Sequence, residues 1–225
     1  MATKKKQRTV KTASLKHERK YAAMGCRYIV GIDEVGRGPW AGPVTAAAVC
    51  LPLTEEKLSE KLKGVRDSKK MTANQRELLA AVIKEVALAW GIGSCSANEI
   101  DDLGIVPATQ QAMIRALNDA QSRTKIKFDC LFLDDMILPE IRDISQVSMI
   151  EGDSRSLSIA AASVVAKVWR DDYMRDLDAE FPQYGFADHK GYGTAKHEAA
   201  LRQYGVLPVH RHYYAPIRKL IEGKS

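Results

Sequence analysis

A single α/β sheet with helices packed on it, or an α+β arrangement of the same parts, is the fold class that this sequence predicts. Three observations predict it. Short apolar runs of strand character dominate the first part of the chain, helical periodicity dominates the second, and 225 residues with 45% hydrophobic side chains suffice for one substantial core.

The chain opens with a basic arm. Residues 1–20 hold eight Lys and Arg against Glu18 alone, whereas the remainder carries 26 basic and 27 acidic residues, so the formal net charge of +6 resides in the arm. Residues 1–24 are expected to be disordered, serving as a solubilising tail or as a salt-dependent tether for phosphates. The arm lacks the apolar stretch of a secretory signal, and no run elsewhere approaches the roughly 20 apolar residues of a membrane helix. Cys26, Cys50, Cys95 and Cys130 are widely spaced and are expected to be buried thiols rather than bridges or zinc ligands. A cytoplasmic protein is the expectation that follows.

Residues 28–33 and 44–53 read as two buried strands in a hairpin-like pair, joined by a turn containing Gly36, Gly38 and Gly42. Residues 55–66 are a charged, helical connection, and DSKKMT (67–72) is a loop. Thr72 is the N-cap of a helix in which Leu78, Val82, Ile83 and Val86 recur at helical spacing. Residues 88–95 form a strand weakened by Gly91 and Gly93. A short acidic helix follows, and then a longer one with Pro107 at its first position and Met113, Ile114 and Leu117 inward. Residues 127–135 make the strongest buried strand, and 146–150 a shorter one that leads to an acidic terminus at Asp153. Residues 156–181 predict a long helix with Ala162, Ala166, Trp169, Tyr173 and Leu177 as its inward stripe and a charged, solvated later part. Residues 194–204 and 215–221 read as helices.

Three strands or strand ends deliver acids: Asp33 with Glu34, Asp134 with Asp135, and Asp153. Taken singly, each is a common turn residue. Brought together they repel one another unless a cation neutralises them, and hard divalent ions such as Mg2+ or Mn2+ take such oxygen ligands. Two such ions about 4 Å apart clamp the attacking and leaving oxygens of a phosphoryl displacement. His210 and His212 form only an H-x-H pair, read as surface or nucleic-acid contacts. Gly36 and Gly38 flank Arg37 without side-chain bulk, so the turn either lets its backbone reach a sugar or phosphate or is simply a sterically demanding connection.

With these residues placed, the chain resembles type 2 ribonuclease H, ribonuclease HII, from about residue 28 to residue 221. The resemblance rests on GIDEVGRGPWAGPV, DSKK, the strand ending in Asp134, GDSRSLSIAAASVVAK, FPQYGF, HKGYGT and the HR-containing C-terminal stretch, in that order. It implies a ribonuclease H-like fold: a catalytic core over residues 25–183 with a central mixed sheet flanked by helices, and a C-terminal helical segment, 184–225, beside the substrate groove. It implies metal-dependent hydrolysis of RNA/DNA hybrids and cleavage 5′ of single ribonucleotides in duplex DNA, leaving 3′-hydroxyl and 5′-phosphate ends; a monomer is the default expectation. Asp33, Glu34, Asp134 and Asp153 become the catalytic acids that hold two Mg2+ or Mn2+ ions. Gly36, Arg37 and Gly38 become the readers of the 2′-hydroxyl, and Tyr192 packs on the neighbouring deoxyribose. Ser68, Lys69, Ser163, Lys167 and Arg211 become phosphate contacts or their supports.

Two departures accompany the resemblance. Asp135 stands where the family usually has Gly, and is either an outer-shell partner of the metal or, as expected here, a residue facing solvent. HRHYY (210–214) stands where bacterial relatives more often have HRRSF. A binding module that had lost catalysis would lack acids, and all four are present.

Overall fold

The structure, a computed structural model, describes residues 12–223, so what is expected of residues 1–11 lies outside it. Helix α1 (Lys16–Ala23) leads into β1 (Ile29–Val35), and the glycine turn joins β1 to β2 (Val44–Cys50). Short α2 (Leu58–Lys61) and α3 (Ala73–Val86) precede β3 (Ala89–Cys95), then come α4 (Ala97–Leu103) and α5 (Ile105–Ser122). Strands β4 (Cys130–Asp134) and β5 (Ser145–Met149) follow, then one-turn α6 (Gly152–Arg155) and long α7 (Leu157–Glu180). Helices α8 (Phe186–His189), α9 (Ala195–Tyr204) and α10 (Ala215–Ile221) complete the chain.

The strands form one mixed sheet in the order β3-β2-β1-β4-β5, antiparallel across β3-β2-β1 and parallel across β1-β4-β5. Strand alternation gives the sheet two apolar faces. Val30, Ile32, Val44, Ala46 and Ala48 pack with Ala112, Met113 and Ala116 of α5, while Ala47, Val49 and Leu51 pack with α3 and the first turns of α7. Glycines set the spacing on both faces. A Cβ at Gly93 would lie 2.1 Å from the carbonyl oxygen of Ala112, and one at Gly31 2.1 Å from the carbonyl carbon of Ser158. Gly91 and Gly93 thus admit the α5 backbone against β3 rather than merely weakening the strand.

Several sequence expectations are corrected. The N-terminal arm is not disordered up to residue 24. Ala13 and Leu15 are buried, and fully buried Glu18 of α1 accepts hydrogen bonds from Ser156 Oγ (2.6 Å) and the Ser158 amide (2.9 Å) at the start of α7. The Thr72 capping box is present, but Leu78 is exposed and the core side of α3 is Ala80 and Ile83. Helix α5 starts at Ile105 behind Gly104, which places Pro107 third. In α7, Tyr173 is exposed, and the charged later part contributes buried Arg170, Asp171 and Met174 instead of forming a wholly solvated face.

Three imidazoles lock the C-terminal segment to the core. His189, His197 and His210 are buried among Trp40, Tyr184 and Phe186, with the rings of His189 and His197 stacked at 4.4 Å. His210 is therefore interior and not the surface contact expected of it. Hydrogen-bond partners assign the tautomers. A neutral His197 that donates Nδ1–H to a carbonyl must accept at Nε2, so His210 donates Nε2–H to it at 3.0 Å, and His210 Nδ1, 3.1 Å from the Leu207 carbonyl, accepts from the Leu207 amide at 2.9 Å. His197 in turn donates Nδ1–H to the Tyr192 carbonyl at 3.0 Å, and His189 donates Nε2–H to the Tyr184 carbonyl at 2.9 Å. All three rings are neutral, and each ring nitrogen has a partner.

Two predictions follow from this packing. Gly31→Ala forces β1 and α7 apart and is expected to lower the free energy of unfolding by about 1–3 kcal/mol in urea denaturation. Burial, with the neighbouring imidazoles, holds His197 and His210 down at about 4. The unfolded chain protonates them near 6.5, so their contribution is full above about pH 6.5 and is lost as pH falls toward 4. Asp33 and Asp153, raised by burial, act in the opposite sense, so the readout must be residue-specific. The NMR signals of His197 and His210 are expected to stay constant from pH 7 to about pH 5; midpoints near 6.5 would contradict the neutral relay.

Candidate active site

Parallel pairing of the central strands builds the site. Ile32 lies opposite Leu133 in the β1-β4 ladder, so the next residues, Asp33 and Asp134, leave neighbouring strands abreast at the carboxyl end of the sheet. This is where open α/β sheets place ligands. Asp134 Oδ1 accepts the Gly152 amide at 2.6 Å, which ties α6 to β4 and brings Asp153 to the same edge. Asp153 thus arrives on a one-turn helix and not at the end of a strand. Asp135 and Glu151 flank this junction with φ of 43° and 53°. Position 135 therefore requires the left-handed backbone that favours glycine, and Asp is among the few residues that tolerate it. Its side chain is exposed and outside the cleft lining.

One cleft brings together Asp33, Glu34, Gly36, Arg37, Gly38, Ser68, Lys69, Asp134, Asp153, Ser163, Lys167 and Tyr192, every residue to which the resemblance gives a site role except Arg211. All four acids are pushed above the usual carboxylate range. Burial is the main cause for each; Glu34 and Asp134 add to it at Asp33, where the Ser163 hydroxyl opposes it. Burial raises Glu34 against the pull of Arg37, and Asp134 against the Gly152 amide and Lys69. Burial together with Asp67 and Asp134 lifts Asp153 to about 6.

Such a cluster asks for cations. Glu34 Oε2 is buried without a hydrogen-bond partner, an acceptor in want of a positive charge. Among the described residues, no three His, Cys, Asp or Glu side chains form a ready-made cage for one ion. Mg2+ does not require one, because it keeps several waters and uses one or two carboxylates with substrate phosphates. The all-oxygen donor set fits a hard divalent ion.

The basic residues divide by role. Lys69 is exposed at the cleft. Lys167 lines the cleft with its ammonium already bonded to Asp171 at 2.6 Å, and Arg76 holds the other oxygen of Asp171 at 3.3 Å. Ser68 and Ser163 share a hydrogen bond of 2.9 Å that joins the 3-10 turn at 68–70 to α7. Sequence reasoning missed Asp67, which caps that turn and adds to the charge near Asp153; its place in DSKK was the available signal.

The glycines of the turn also separate. Gly36 has φ of 90°, and a Cβ there would stand 2.2 Å from Arg170 Nε; Gly42, at φ 80°, would meet Met174 Sδ at 2.6 Å. Those two satisfy the turn's own geometry. A Cβ at Gly38 would meet nothing nearer than Tyr192 Cε1 at 3.7 Å, so the protein itself does not demand glycine there.

Beneath the turn lie two guanidinium groups. Arg170 donates to the carbonyls of Pro43 (2.9 Å), Lys190 (3.0 Å) and Ala41 (3.2 Å). Arg211 donates to Gly36 (2.5 Å), Arg37 (2.7 Å) and Gly42 (2.9 Å). Arg211 is fully buried, and its bonds make it a brace for the turn. Nothing in the charge pattern distinguished Arg170 from a surface residue of an amphipathic helix.

Comparison with known proteins agrees with this geometry. The sequence profile of the family described as Ribonuclease HII matches residues 30–217. A ribonuclease HII of Geobacillus kaustophilus is 48% identical over 211 residues, which span 94% of this chain and 77% of that protein. The fold is similar to the crystal structure of ribonuclease H2 from Pyrococcus horikoshii, with a TM-score of 0.71, 25% identity and coverage of 88% of this chain and 98% of that one. It is also similar to Bst-RNase HIII in complex with Mn2+, with a TM-score of 0.68, 15% identity and coverage of 91% and 72%. The profile spans most of the chain and the acids, glycine turn and helices stand as described, so this chain belongs to the ribonuclease HII family of ribonuclease H enzymes, endonucleases that act on the RNA of RNA/DNA hybrids.

Proposed function

We propose that this enzyme hydrolyses the phosphodiester on the 5′ side of a ribonucleotide embedded in duplex DNA, as well as the RNA strand of hybrids, and so removes misincorporated ribonucleotides. The observation that carries this reading is the sharing of one cleft by four electrostatically strained carboxylates and a turn whose backbone is held from behind. Asp33, Glu34, Asp134 and Asp153 would hold two Mg2+ or Mn2+ ions, and Mn2+ in the related Bst-RNase HIII supports a hard-ion site. When bound, such ions acidify water and stabilise the charge on the attacking and leaving oxygens.

The chain's own residues do the rest. Gly36, Arg37 and Gly38 offer backbone groups to the 2′-hydroxyl and adjacent phosphates, because a bare backbone can approach a ribose closely. Tyr192, 47% exposed at the cleft, supplies a ring face for the neighbouring deoxyribose. Lys69 supplies positive charge to the backbone phosphates. Ser68 and Ser163 hold the cleft floor, and the Lys167–Asp171–Arg76 chain fixes α7 behind it. The helical segment from residue 184 to residue 223 flanks the groove, and the basic residues of the N-terminal arm add salt-dependent attraction to the duplex.

The test is metal-titrated incubation with a labelled duplex carrying one ribonucleotide. A single incision 5′ of that ribonucleotide, leaving 3′-hydroxyl and 5′-phosphate ends, is expected; cleavage only of longer hybrids would reject the single-ribonucleotide activity. Asp33→Asn is expected to reduce turnover by about a thousandfold or more, as loss of several kcal/mol of charge stabilisation requires, while duplex binding persists. Turnover near wild type would remove Asp33 from the metal site.

A further inference from the structure

The C-terminal segment reaches the back of the glycine turn through one side chain that the resemblance does not assign. Tyr214, the residue before α10, directs its hydroxyl at the Arg37 carbonyl, which also accepts Arg211 Nη1 at 2.7 Å. Arg211 Nη1 in turn lies 3.0 Å from the Tyr214 hydroxyl. The neighbouring Gly36 carbonyl accepts Arg211 Nη2 at 2.5 Å. Two consecutive peptide units are thus gripped by their oxygens from the side away from the cleft. Asp101 of α4 fixes the approach of this segment by accepting the His212 and Tyr213 amides, both at 2.8 Å. The bonds from the Arg211 amide to Trp40 and from the Gly42 amide to Val209 stitch the same segment along the turn.

Peptide planarity turns this grip into an orientation. In a trans peptide the N–H points opposite to the C=O of the same unit. Fixing the Gly36 and Arg37 carbonyls on the buried side therefore aims the Arg37 and Gly38 N–H groups at the cleft that both residues line. Among the described residues, neither amide has an acceptor within the protein. A pair of donors held in this way costs no reorganisation when an oxygen arrives. The Tyr214 ring packs against the core cluster that α5 shares with the sheet, and its hydroxyl reaches the turn.

We propose that Tyr214 is a positioning residue for ribonucleotide recognition: with Arg211 it clamps the Arg37 carbonyl and so presets the Arg37 and Gly38 amides as a donor pair for the 2′-hydroxyl. This rests on the reading of the glycine turn given above. Tyr214 does not touch the substrate. It acts through the peptide it holds, and its contribution is separate from the carboxylates and from any ion they bind.

The experiment measures binding without cleavage. In EDTA, fluorescence anisotropy gives the affinity of wild type and Tyr214→Phe for a duplex with one ribonucleotide and for the all-DNA duplex of the same sequence. The substitution removes only the hydroxyl, and thermal unfolding checks that the fold is kept. The preference for the ribonucleotide duplex is expected to fall about two- to tenfold in Tyr214→Phe, the range for loss of one hydrogen bond. Affinity for the all-DNA duplex and the unfolding midpoint should stay unchanged. An unaltered preference overturns the clamp, and so does an equal loss of affinity for both duplexes, which marks a merely structural role. A wild type that binds both duplexes alike overturns the reading of the glycine turn itself, and the clamp with it.

Discussion

Two arginines buried under a turn are the constraint on which this site depends. Arg170 from α7 and Arg211 from the C-terminal segment direct their guanidinium groups at the carbonyls of residues 36–43 from below. A buried cation is costly unless hydrogen-bonded. Burial, with the like charge of Arg211, pulls Arg170 down to about 10, which still leaves it charged at neutral pH. The carbonyl oxygens satisfy the charge, and in exchange the turn loses its freedom. Removing either guanidinium would release a connection that must otherwise carry two residues at positive φ.

The carboxylates pose the opposite problem. Parallel β1 and β4 deliver Asp33 and Asp134 abreast, α6 adds Asp153, and burial raises all of them together with Glu34. The fold holds this repulsion in place with specific bonds: the Gly152 amide on Asp134, Arg37 near Glu34 and Ser163 beside Asp33. A site of this kind is strained until a hard cation and a phosphate complete it. The glycine turn begins two residues after Glu34, so in the proposed reading the groups that would meet the sugar and the acids that would hold metal share a single short stretch of backbone.

Much of this was legible in the sequence, for identifiable reasons. Each strand was marked by apolar runs, the N-cap of α3 by Thr72, and Asp33, Glu34 and Asp134 by their position at strand ends. What stayed hidden was tertiary. Glu18 sat in a segment whose lysines and arginines read as an unstructured tail, and only its bonds to Ser156 and Ser158 reveal α1 as part of the fold. Arg170 and Arg211 looked like surface or phosphate-binding charges because no local pattern announces that a guanidinium will meet carbonyls from another element. His210 read as exposed because its partners, His197 and Leu207, become neighbours only after the C-terminal segment folds back. The glycines of the turn looked alike in sequence, and only the packing around each separates Gly36 and Gly42 from Gly38.

That separation gives the central claim its most direct measurement. The claim is that Gly38 is open for the nucleotide and not for the protein. Gly38→Ala, assayed by unfolding and by kcat/KM on a duplex with one ribonucleotide, is predicted to unfold as wild type does, because the new methyl meets only the Tyr192 ring at ordinary contact distance. Its kcat/KM should drop on the order of tenfold to a hundredfold, as misplacement of a substrate beside its catalytic groups does. Wild-type kcat/KM in this variant would contradict the claim that the turn and the acids act on one bound ribonucleotide.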